Sequence, residues 1–168
     1  MAPRILVGYA THYGSTAEVA ESVAGTLRDN GIEADVQLLK EIRSLDGYDA
    51  VIIGAPLIMS RWHKDARQFL SRFRKTLPDK PAAVFALGPI TPGKEEEFTG
   101  AQQQLDKELA AYQWFAPLSK QIFGGVMNLS KTSFPMSVFM KNVPPSDIRD
   151  WEVIRAWAAG LKDQLSAE

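Results

Sequence analysis

Residues 11 to 18 read Thr-His-Tyr-Gly-Ser-Thr-Ala-Glu, which gathers small hydrogen-bonding groups into one short stretch. The hydroxyls of Thr11, Ser15 and Thr16 can donate to an anion. Gly14 lets the backbone come close to it or take a positive φ. His12 and Tyr13 lie between them, and His12 reads as a phosphate neighbour. The residues that follow have helical spacing, so a helix would add free N–H groups and the positive end of its dipole. Together these groups would wrap a phosphate without any lysine. A plainer reading is that Ser15 and Glu18 form the capping-box spacing S-x-x-E and merely start a helix. That reading explains neither Thr11 nor Gly14. Two common phosphate motifs are absent: G-x-x-x-x-G-K-[ST], and G-x-G-x-x-G after the first apolar run. A P-loop NTPase is excluded, and a Rossmann dinucleotide site is not expected.

Other chemistry is sparse. His12 and His63 are the only histidines. Histidine suits general acid/base work near neutral pH. Here His63 begins a helix and His12 lies in the turn. Far apart in the chain and without a third ligand, they do not suggest a metal site. The absence of cysteine excludes thiol catalysis, disulfides and thiolate-bound clusters. A formal charge of -1 gives no global field to attract nucleic acid or an anionic membrane. The opening Met-Ala-Pro-Arg-Ile-Leu-Val-Gly-Tyr is too short and too early-charged for a signal peptide. No apolar stretch is long enough for a bilayer span. A soluble, cytoplasmic domain covering 1–168 is the expectation.

The elements that must position these groups follow from hydrophobic period. Residues 4 to 10 are a continuous apolar run, as in a strand covered on both faces. Val19, Val23 and Leu27, with Ala20 and Ala24, form a helical stripe that Asn30-Gly31 should stop. Strands are expected at 33–39, 49–55, 82–87 and near 119–126. Helices are expected at about 63–76, 95–112 and 147–165. Strands alternating with helices imply a five-stranded parallel sheet with helices on both faces. Ligands of such sheets bind beyond the carboxyl ends of the strands. Those ends carry the three most irregular loops, Thr11–Thr16, Pro56–Trp62 and Gly88–Gly93.

Thr-His-Tyr-Gly-Ser-Thr-Ala-Glu resembles the FMN-phosphate loop of flavodoxins, roughly T-x-x-G-x-T-x-x, and the order of elements along nearly the whole chain matches that fold. The resemblance implies an α/β, flavodoxin-like three-layer sandwich with strand order 2-1-3-4-5 and one non-covalent FMN. Gly54–Lys64 is similar to a loop of the flavodoxin-like, menaquinone-linked protoporphyrinogen dehydrogenases, as are Tyr112–Pro117 and Asp150-Trp151-Glu152. With that resemblance, Pro56, Leu57, Ile58 and Met59 would offer an apolar surface to the flavin ring. Trp62 would either stack on the ring or pack into the core. Arg61 would steady a reduced anionic flavin or an acidic substrate, or else be a solvated surface residue. Gly88, Pro89, Ile90 and Thr91 would bring backbone to the pyrimidine edge. Flavodoxins carry an acidic, tyrosine-containing loop there. This chain has none, so face stacking would fall to Trp62, Phe98 or an apolar side chain.

A long segment at about 128–147 separates the fifth strand from the last helix. It contains Phe134, Met136, Val138, Phe139, Met140 and Val143 between Lys131 and Lys141. Its readings are a local lid, or an apolar patch at 134–143 that meets a quinone, a partner protein or the inner face of a membrane. Two functions follow. One is an FMN oxidoreductase acting on a porphyrinogen-type or other hydrophobic substrate with a quinone acceptor. The other is a flavodoxin-type electron carrier between protein partners. The near-neutral charge counts against the second, because acidic surfaces steer such carriers to basic partners. A binding module that has lost its cofactor would not need the full hydroxyl set. No catalytic residue is assigned.

Overall fold

Three strands are apolar almost throughout, and the sheet is built around them. The computed structural model describes residues 3–127, Val138 and 146–166. The strands are β1 (Arg4–Tyr9), β2 (Glu33–Leu38), β3 (Ala50–Ile58), β4 (Arg61–Trp62), β5 (Ala82–Leu87), β6 (Ser119–Phe123), β7 (Val126–Met127) and β8 (Ser146–Asp147). The helices are α1 (Ser15–Asp29), α2 (Lys64–Arg72), α3 (Glu95–Ala110) and α4 (Trp151–Ser166). The five long strands pair in parallel in the order β2-β1-β3-β5-β6. Numbered among themselves, these strands run 2-1-3-4-5, as the resemblance implied.

Alternation along the strands divides the core into two layers. Ile5, Val7, Ile52, Phe85 and Phe123 pack with Val19, Val23 and Leu27 of α1 and Ile154, Leu161 and Leu165 of α4. Leu6, Val51, Ile53, Val84 and Ile122 pack with Phe69 and Leu70 of α2 and Leu105 and Leu109 of α3. Each fully buried aliphatic side chain contributes about 1.5–3 kcal/mol, so both helical layers are held by apolar burial. The 49–55, 63–76 and 95–112 expectations were right in kind and displaced at their ends.

Three departures from the expected elements shape the site. First, β3 runs on through Pro56–Ile58 and turns back antiparallel into β4, so an expected loop is a hairpin. Met59 and Ser60 have φ of 52° and 62°, the paired positive angles of a type I′ turn. Second, β6 ends at Phe123. Gly124 and Gly125 break the strand, and Val126–Met127 pairs with Ser146–Asp147 as a separate two-stranded ribbon. Third, α4 starts at Trp151 rather than at 147. Asp150 Oδ1 accepts the N–H groups of Glu152 and Val153, a helix-capping role. Of the 128–147 segment, residues 128–137 and 139–145 lie outside the described residues. Nearly all of the expected apolar patch at 134–143 lies there too. Among the described residues, no helix is long and apolar enough to cross a membrane.

Candidate functional site

The turn after β1 is built from its own side chains. Thr11 Oγ1 accepts the N–H of Gly14 at 2.7 Å, which closes the turn. Gly14 stands at the helix N-cap with φ of 101°, a conformation that favours glycine. Ser15 is therefore the first helical residue, and no side chain caps α1. The capping-box reading of Ser15 and Glu18 does not hold. The first-turn N–H groups keep no intrahelical partner. Thr16 is fully buried, and its Oγ1 has no hydrogen-bond partner among the described residues. The buried hydroxyl of Tyr13 shares that condition. An unpartnered buried hydroxyl costs about 1–3 kcal/mol, so two in one turn call for a polar ligand.

A cleft of about 260 Å³ opens beside this turn, at the carboxyl end of the sheet. His12, Tyr13 and Ser15 line it from the turn. Pro56, Leu57, Ile58 and Met59 line it from the β3–β4 hairpin, and Leu87, Gly88 and Ile90 from the end of β5. Gly125, Val126 and Met127 complete the wall from beyond β6. The loop after β5 is tied to that last wall. Gly125 N–H donates to Pro89 O at 2.7 Å, and Ser146 Oγ donates to Ile90 O. Ile148 N–H donates to Gly125 O at 3.1 Å.

The remaining expected site residues lie off the cleft lining. Thr11, Gly14 and Thr16 belong to the turn but not to the lining. Pro89 is buried and Thr91 half-buried in the loop after β5. Trp62 is fully buried in the α2/α3 core layer, and its indole N–H donates to Ala55 O at 3.1 Å. The core-packing alternative applies to it, so it offers no ring face for stacking. Arg61 points to solvent and pairs with Glu108 at 2.9 Å. Phe98 packs against the same core layer. Among the described residues, the face-stacking surfaces left at the cleft are aliphatic, together with His12 and Tyr13. Sequence reasoning missed Leu87, Gly125, Val126 and Met127. The signal was present: the rule that ligands sit beyond strand ends applies equally to the fifth long strand, which Gly124-Gly125 terminates.

The two histidines, distant in sequence, come together with ring centroids 6.4 Å apart, and His12 of the pair lines the cleft. His12 is exposed and edges onto Tyr13 at 4.2 Å. His63 caps α2, its Nδ1 accepting the Asp65 N–H at 3.0 Å, which places the proton of the neutral ring on Nε2. Burial holds the His63 pKa below the usual histidine value, outweighing the opposing pull of Asp65. Among the described residues no group of three or more His, Asp or Glu side chains could hold a metal ion.

Comparison with known proteins agrees with this architecture. The model of the family described as "Flavodoxin domain" matches residues 6–144. The protoporphyrinogen IX dehydrogenase [quinone] of Escherichia coli K12 is 26% identical over 113 residues, covering 66% of this chain and 62% of that protein. The match thus spans less than two thirds of that relative. Among solved structures, flavodoxin 1 from Bacillus cereus superposes with a TM-score of 0.62 at 20% identity, covering 97% of this chain and 99% of that one. A short-chain flavodoxin associated with a PDU bacterial microcompartment gives 0.64 at 18% identity, covering 98% and 99%. With a family match over most of its length and the strand order just described, the chain belongs to the flavodoxin-domain family.

Proposed function

We propose that this domain binds FMN, with the phosphate in the turn at residues 11–16 and the isoalloxazine in the adjoining cleft, and that it works as an oxidoreductase. The observation that carries this reading is an uncapped helix start, with buried hydroxyls at Tyr13 and Thr16 that have no partner among the described residues, beside a largely aliphatic cleft. Thr11 and Gly14 set the shape of the turn. Ser15, Thr16 and the first-turn N–H groups of α1 would hold the phosphate. Pro56, Leu57, Ile58 and Met59 would exclude water from one side of the ring, and Ile90, Val126 and Met127 from the other. Gly88, which lines the cleft, would bring backbone to its polar edge. Bound there, FMN would supply reversible electron transfer with a hydrophobic reductant.

The aliphatic walls favour a flat, hydrophobic substrate of the porphyrinogen type with a quinone acceptor, in keeping with the Escherichia coli relative's name. The alternative is an electron carrier between proteins. Exposed Glu95 and Glu96 at the start of α3 favour it, because they offer an acidic patch to a basic partner.

The test is the visible absorption spectrum of the purified protein after FMN is added and the excess removed. Retained flavin bands, lost in Thr16→Asp, are the expected result, since a carboxylate there would repel a phosphate. A protein that stays colourless, or a Thr16→Asp variant with unchanged affinity, overturns the phosphate assignment. Turnover of a porphyrinogen with quinone then separates the enzyme from the carrier, which would reduce only a protein partner.

A further inference from the structure

Arg149 lies in the short link between β8 and α4, and only 8% of its side chain is exposed. Its guanidinium grips Asp147 with both arms, Nε to Oδ1 at 3.0 Å and Nη2 to Oδ2 at 2.7 Å. Nη1 donates to the backbone oxygen of Ser15 at 3.3 Å and approaches Glu18 Oε2 at 3.5 Å. The guanidinium carbon lies 4.8 Å from the centroid of the Trp151 ring. One buried cation therefore joins the ribbon, the first turn of α1 and the start of α4.

What it joins matters to the cleft. Asp147 pairs with Val126 across the ribbon, and Ser146 with Met127. Val126 and Met127 wall the cleft, and Ser15 lines it from the α1 turn. Ser146 also fastens Ile90, so the ribbon already holds the loop after β5. Arg149 adds the third attachment, from the ribbon to the turn. Its charge has a second effect. Glu18 sits in the first turn of α1 and Asp147 beside it, and both carboxylates would repel an anion at that helix start. The guanidinium between them offsets that repulsion.

We infer that Arg149 is a positioning residue for a phosphorylated ligand: it fixes the α1 turn against the ribbon and neutralises Glu18 and Asp147 beside the phosphate position. The inference rests on the FMN reading above. It acts through the turn and does not itself touch the cleft. Its signature is selective: it should govern affinity for the phosphate and leave affinity for the ring largely intact.

The experiment compares FMN with riboflavin, which has the same ring and no phosphate, by fluorescence titration of the wild type, Arg149→Met and Arg149→Lys. The expected result is an FMN affinity about tenfold weaker in Arg149→Met, with riboflavin affinity changed by no more than about threefold. Arg149→Lys, which keeps the charge and loses the two-armed grip, should fall between. A folded Arg149→Met protein with an unchanged FMN-to-riboflavin ratio overturns the role of Arg149 alone. Wild type that binds neither flavin removes the FMN reading, and this inference with it. Should Arg149→Met fail to fold, Arg149→Lys alone decides, because it keeps the charge and gives up the two-armed grip on the ribbon. A reduced ratio in that variant supports the inference, and an unchanged one overturns it.

Discussion

Thr16 is the residue at which stability and ligand binding should move in opposite directions. Its hydroxyl is buried and unpartnered among the described residues. Thr16→Val keeps the shape and deletes the orphaned group, so the ligand-free protein should gain about 1 kcal/mol. The same change removes a donor from the phosphate turn and should weaken FMN binding about tenfold. Thermal unfolding with and without FMN reads both effects. A higher melting temperature without ligand and a smaller rise on adding FMN is the expected pattern. A variant whose melting temperature falls without ligand and whose FMN response is unchanged would mean Thr16 is only a packing residue. At this scale the hydroxyls were readable because chemistry and spacing coincide within eight residues. Arg149 was not, since its partner Ser15 lies 134 positions away and only the fold joins them.

At the scale of elements, apolar period located the strands and helices, because each buries a face against a neighbour. It could not locate the pieces whose partners are irregular. The β3–β4 hairpin is not legible from sequence because Met59-Ser60 is not a usual type I′ turn pair, which favours Asn-Gly. The ribbon of β7 and β8 escaped because its strands are two residues long and separated by the 128–145 segment. Gly124 shows how closely that ribbon sits. A Cβ there would lie 2.4 Å from the backbone oxygen of Ile148, which cannot swing aside as a side chain would. Gly124→Ala must therefore displace Ile148, just past the end of β8, at a cost of about 1–3 kcal/mol. The displacement strains the Ile148 to Gly125 hydrogen bond and moves the wall that carries Val126. Lower stability together with weaker flavin binding should follow, read by denaturant unfolding and fluorescence titration. Retention of both would show that the ribbon adapts at no cost to the site.

At the scale of the whole molecule, the two ends of the sheet carry separate charge networks, and pH should separate them. At the end away from the cleft, Asp35 accepts from the Tyr48 hydroxyl at 2.8 Å and from Arg4 at 2.7 Å. The Tyr48 hydrogen bond, then Arg4, hold the Asp35 pKa below the ordinary carboxylate value despite partial burial. Its contribution to stability is present above the unfolded-state value of about 4 and is lost as pH falls through the depressed folded value. Burial, then Asp35, raise the Tyr48 pKa, so the tyrosine's contribution is full below about 10 and is lost as pH rises through the folded value. At the cleft end, the Arg149 hydrogen bonds lower the Asp147 pKa in the same direction as that of Asp35. Acid therefore acts on both ends, but only the cleft end should touch the ligand. Asp35→Asn should lower the melting temperature at neutral pH and flatten its decline below about pH 4, while the pH at which FMN is released stays unchanged. Asp147→Asn should shift FMN release and leave the Asp35-dependent decline in place. Melting curves and flavin fluorescence across pH 2.5–7, a range of order set by carboxylate titration, would distinguish them. If Asp35→Asn moved both transitions together, the two ends would be a single cooperative unit, and release of the flavin would report global unfolding rather than loss of the Arg149 anchor.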